Sequence, residues 1–220
     1  IGVIRGRIVT SGDSLAILWK NAKFTWEFDG MLILRSVYDI MLQGLCIMAY
    51  PQRREERTQR YRDFRHIEKM GEVDLIDSNE TESARNLRDS ERRADVEPEI
   101  IANFERVKGR FTTTKKRGKE KLHRTWYEGI GQGHGKGTLR YLAREVGYEQ
   151  EYEMMQKFLS GVVHASPLTL ERRPFVNDFF LIDWCWRFVF RILAVEAEHL
   201  KVELSEDETG LIDLAQKSVL

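Results

Sequence analysis

A chain of 220 residues, 42% hydrophobic and 32% charged, carries enough apolar mass to build a core without disulfide or metal staples, which excludes the small stapled scaffolds. Its 35 basic and 35 acidic side chains cancel, which excludes a partner captured by total charge alone. Only four prolines interrupt the chain, at 51, 98, 167 and 174, so long helices are permitted.

Residues 1–12 (IGVIRGRIVTSG) are β-branched and punctuated by glycine, and read as a short irregular or strand-like leader. Asp13 or Ser14 then caps a first helix through Leu15, Ile17, Leu18 and Phe24, broken at Asp29-Gly30. The apolar run 31–50 predicts a helix ending before Pro51. In 53–70, Tyr61, Phe64 and Ile67 at spacings of three mark an amphipathic helix, with Gly71 as its stop. Residues 72–97 are charged and nearly free of aromatics, and read as a mobile loop with a helical patch at 81–94. A helix over 98–127, opened by Pro98, carries the basic run TKKRGKEKLHR and ends in the glycine-rich 129–137. Helices follow over 138–146, 148–165, 175–204 and 206–218.

Helix after helix with short connections predicts an all-α protein, a single helical bundle over 1–220. Its centre is 31–50 and 175–204, with 148–165 against them. The apolar stretches 31–50 and 175–195 within the first two are near the roughly 20 residues that span a bilayer. Arg35 and Asp39 in one, and Asp178, Asp183, Arg187 and Arg191 in the other, make them buried core helices instead, because each charge costs about 2.5–3.5 kcal/mol at mid-bilayer. With no secretory leader in view, a cytoplasmic protein with no membrane partner is expected. Cys46 and Cys185 sit in apolar runs and read as buried free thiols. Trp184 and Trp186 cannot face the same side of one helix, and the outward one suggests a subunit contact and a homo-oligomer.

The chemistry-bearing residues stand where apolar ones are expected. Arg35 and Asp39 lie four apart in a helix that is apolar almost all round, so they are paired internally or line a cavity. Ser160 and His164 repeat the spacing in KFLSGVVHASP, and histidine titrates near neutral pH. Arg35, Asp39, Ser160 and His164, with Tyr152 nearby, form the candidate catalytic site.

RSVYD (35–39), Tyr61, TWYEG (125–129), TLRYLAREVGYEQEY (138–152) and LSGVVHASP (159–167) together resemble a bacterial and archaeal helical family, domain of unknown function 5677, over about 31–170. That family's pattern has glutamate where Asp39 stands here. The resemblance implies a helical fold and no settled activity.

Arg60-x5-His66 and Arg117-x5-His123 are weakly similar to the motif of HEPN-type helical ribonucleases, which cleave RNA without metal. There an arginine steadies the phosphorane and a histidine moves the 2′-hydroxyl proton. On a continuous helix those two side chains stand roughly 120° apart, so convergence needs a distorted turn.

Residues 101–125 hold nine basic residues against two acidic ones, and Lys115, Lys116, Arg117, Lys119, Lys121 and Arg124 are the candidate nucleic-acid contacts. Glu120–His123 and Glu196–His199 have the short di-iron spacing, but the first lies in a basic run; no metal and no cofactor are expected. GIGQGHGKGT lacks the hydroxyl residue directly after Gly-Lys that a phosphate loop needs.

The leading expectation is a phage-defence or toxin-type effector acting on RNA. The alternative is a non-catalytic helical module that binds a protein partner or small ligand.

Overall fold

The computed structural model describes residues 2–21, 26–78, 81–83, 86, 96–114, 118, 120–130, 137–163 and 178–216. Two compact units divide the chain, one made of 1–51 and 139–220, the other of 52–138, which interrupts the first in sequence.

The first unit holds α1 (Gly2–Asn21), α2 (Trp26–Met48), α5 (Leu139–Glu145), α6 (Glu149–Val163), α7 (Asp178–Leu200) and α8 (Glu206–Gln216). Its centre is α2 against α7, with α5 and α6 packed on α2, α1 on both central helices and α8 on α7. Met31, Leu34, Tyr38, Met41, Leu42 and Leu45 are buried along α2, and Leu181, Trp184, Cys185, Phe188 and Ile192 along α7. Those spacings of three and four are the stripe a helix turns toward a core. Each such side chain contributes about 1.5–3 kcal/mol by leaving water. The 29–48 stretch of α2 is long and apolar enough to cross a membrane, and 61% of its most apolar window is buried inside the unit. Both cysteines are free and buried, as their apolar surroundings predict, and burial pushes the Cys185 thiol up to about 11.

The second unit holds α3 (Arg54–Asp77), α4 (Val96–Lys108) and a hairpin of β1 (Thr112–Thr114) and β2 (Glu120–Leu122). The strands are antiparallel, with Thr113 opposite Lys121. Phe64 and Ile67 of α3 meet a core that also contains Phe104, Val107, Phe111, Trp126 and Tyr127.

All-α is the class observed, with this two-stranded hairpin as the exception, and five local expectations are corrected. The leader is not strand-like: α1 runs from Gly2. Its hydroxyls fold back inside the helix, Thr10 donating to the Gly6 carbonyl at 2.9 Å and Ser14 to the Thr10 carbonyl at 2.9 Å, so Ser14 is no N-cap. Asp29-Gly30 does not break α2, and Gly71 does not stop α3, which continues to Asp77 into the stretch read as a loop. A single glycine costs about 1 kcal/mol in a helix, which packing overrides. The helix expected over 98–127 ends at Lys108. Three consecutive threonines favour a strand, and Gly118 takes the positive φ of 72° that the reversal needs. Of the patch expected at 81–94, residues 84–85 and 87–94 lie outside the described residues.

Candidate functional site

Arg35 and Asp39 are one helical turn apart on α2, and they pair. Arg35 Nε donates to Asp39 Oδ1 at 3.2 Å and Oδ2 at 3.3 Å, with 19% and 27% of the two side chains exposed. The pair is therefore half-open rather than sealed. Only Nε is engaged among the described residues; the terminal amines Nη1 and Nη2 keep their donors. Burial raises the Asp39 carboxyl above its ordinary range, and Arg35 opposes that rise. A carboxyl so placed takes up a proton more readily than one in water.

Tyrosines back the pair. Tyr38, 1% exposed, stacks on Tyr152 of α6 at 6.5 Å and tilts against Phe188 at 4.9 Å. Burial keeps both phenols protonated, with the charge of Asp39 adding to the rise. The Tyr38 hydroxyl is buried without a hydrogen-bond partner among the described residues, and so is the Gln156 side-chain oxygen, one turn beyond Tyr152 on α6. A buried polar group left unmatched costs about 1–3 kcal/mol.

Deeper in the unit lies a second pair that the sequence reading missed. Arg191 of α7 donates from Nη1 to both oxygens of Glu151 at 2.7 and 2.8 Å, with 1% and 4% of the side chains exposed. Its guanidinium also lies 4.4 Å from the centre of the Tyr148 ring. Glu151 is one of three acids that lead α6. Glu149 pairs with Arg140 and Arg144, and Glu153 with Arg140.

Ser160 lies on α6, two turns past Tyr152, with its side chain outside the described residues; His164 lies outside them altogether. The structure therefore brings together Arg35, Asp39 and Tyr152 of the expected site. Of the basic run, Lys115, Lys116, Arg117 and Lys119 lie outside the described residues. Lys121 is held by Glu128 at 3.0 Å, and Arg124 is exposed while its backbone amide donates to Glu128 at 2.8 Å. Burial raises Glu128, but the Arg124 amide and Lys121 ammonium outweigh it and hold the carboxyl below its ordinary range.

Arg60 does not converge with His66, as the helical angle predicts. It reaches His123 instead. Arg60 Nη2 donates to His123 Nδ1 at 3.1 Å and to the Glu128 carbonyl at 2.8 Å, Nε to the Trp126 carbonyl at 2.6 Å, and Nη1 to the Arg110 carbonyl at 3.1 Å. The other ring nitrogen, His123 Nε2, meets Thr113 Oγ1 at 2.6 Å. An arginine and a histidine so fully engaged have a structural part in the second unit.

Trp184 is buried at 5% exposure and Trp186 is 57% exposed, which is the split that their adjacency demands. Trp186 stacks on Phe190 at 5.7 Å and, with Leu211 and Leu214 of α8, lines an apolar cleft of about 350 Å³ rimmed by the Asp183–Arg187 pair.

No curated protein and no solved structure matches the chain. A family model described as a family of unknown function, DUF5677, matches residues 4–179, which takes in α2, the second unit, α5 and α6. The chain belongs to that family.

Proposed function

We propose that this chain acts on RNA as a toxin- or defence-type effector, with the Arg35–Asp39 face of α2 and the adjoining face of α6 as its site. The observation that carries the reading is the half-open pair. Arg35 keeps spare guanidinium donors, and these suit a phosphate oxygen in bidentate contact. Asp39 beside it is biased toward taking up a proton. Ser160 and His164 continue in sequence the four-residue spacing of Tyr152 and Gln156. His164 then moves the 2′-hydroxyl proton while Arg35 stabilises the phosphorane charge, a division of labour that needs no metal. The test incubates labelled single-stranded RNA with the purified chain in excess chelator. Cleavage is expected, and Arg35→Gln or His164→Ala lowers it about 100-fold or more with folding retained. Undiminished cleavage by either variant rejects that residue's role, and no cleavage or binding by the unaltered chain rejects the reading.

A second reading, a non-catalytic helical module with a protein partner or a second copy of itself, is favoured by the Trp186 cleft. In that case Trp186→Lys lowers the molar mass measured by light scattering or abolishes partner capture. Stability changes by no more than about 0.5 kcal/mol, as for an exposed position. An unchanged mass and unchanged capture reject it.

A further inference from the structure

His123 closes a knot that ties three parts of the second unit together. Arginine has donors and no acceptor, so the His123 Nδ1 that faces Arg60 Nη2 at 3.1 Å must present its lone pair. The single proton of the neutral ring is then on Nε2, where it donates to Thr113 Oγ1 of β1 at 2.6 Å. The ring is walled on a third side by Gly129, whose φ is 85° and where a Cβ would stand 3.1 Å from His123 Cε1. At the strand end the His123 amide donates to the Phe111 carbonyl at 2.8 Å. Arg60 also holds the hairpin's flanks at the Arg110 and Trp126 carbonyls, but the strands themselves meet it through one imidazole that works only in one tautomer.

We infer that His123 is an acid-sensitive latch: the neutral ring pins the basic hairpin to α3, and protonation at Nδ1 releases it. A proton on Nδ1 sets N–H against N–H, beside a guanidinium, in a ring that is only 8% exposed. The charged groups around it do not rescue the cation. Arg60 faces it from α3 and Lys121 from β2. Arg110, beside Arg60, is drawn to Asp63 of α3. Glu128 is the acid whose field favours the imidazolium, and its carboxylate is already turned to Lys121 and the Arg124 amide. Glu56 acts on Arg60 in turn.

Burial holds the imidazole below the usual histidine range; Glu128 opposes the shift, and Arg60 and Lys121 add to it. A histidine freed from the knot titrates near its ordinary pKa of about 6.5. Below that pH the released form binds more protons than the latched one, so release becomes easier as pH falls, by at most about tenfold per unit.

The test is hydrogen exchange and ring-nitrogen NMR on the whole chain from pH 7.5 to 4.5. At pH 7.5 His123 is expected as the Nε2–H tautomer. On acidification the amides of β1, β2 and His123 lose protection with a midpoint below that of free histidine. In His123→Gln that pH dependence disappears, whereas His66→Gln, the other depressed histidine of this unit, keeps it. Three results overturn the inference: a protonated Nδ1 at pH 7.5, protection unchanged to pH 4.5, or the same acid loss in His123→Gln. Should that variant not fold, the tautomer and the titration of the unaltered chain decide alone.

Discussion

Arg191 in the first unit and Arg60 in the second are both arginines drawn out of water, and they are satisfied by opposite means. Arg191 has a carboxylate, Glu151, and the face of Tyr148, so its charge is cancelled where it sits. Arg60 has three backbone carbonyls and a neutral imidazole, so its charge is solvated but not cancelled. The first arrangement sets a cation against an anion. The second depends on His123 staying unprotonated. Against both, Arg35 pairs with Asp39 through one nitrogen and keeps its terminal donors. A charge matched by an opposite charge inside the core holds a fold; one that water still reaches, with donors to spare, can hold a ligand.

The largest effect that separates these cases is expected at Arg191. Arg191→Met strands the Glu151 carboxylate at 4% exposure and destabilises the chain by about 3–5 kcal/mol, read from chemical denaturation. Replacing Glu151 by Leu in the same protein recovers most of that loss, because an apolar pair of similar volume is often no worse than the ions. If the double variant is as unstable as the single one, the pair contributes something other than charge compensation. A smaller effect follows at Arg60. Arg60→Met takes the donor away from three backbone carbonyls in bonds that are part-buried or exposed, and about 2–3 kcal/mol is expected. It also removes the acid sensitivity of the hairpin amides. A loss as large as that at Arg191 breaks the contrast.

The central helices were legible because long apolar runs without proline have few alternatives: 31–50 and 175–204 became α2 and α7 with ends shifted by a few residues. Arg35–Asp39 was legible for a local reason, a spacing of four on one helix. Glu151–Arg191 was not, since 40 residues separate the partners and no periodicity joins them. A signal did exist: Arg191 sits in an apolar run that can keep a charge only with a partner, and Glu151 lies at the head of an apolar-striped helix. The hairpin was hidden by its lysines and arginines, good helix formers that outvoted three threonines and Gly118. His123 was noticed for its spacing from Arg117, and its contact proved to be Arg60, 63 residues away.

The claim on which the functional reading rests is that the half-open pair, unlike the sealed one, is there for a ligand. Melting and RNA binding measured on the same Arg35→Gln protein test it most directly. The account predicts a stability change of at most about 1 kcal/mol, as for a turn-spaced pair that water still reaches, together with a large loss of RNA binding. RNA binding equal to that of the unaltered chain would contradict it.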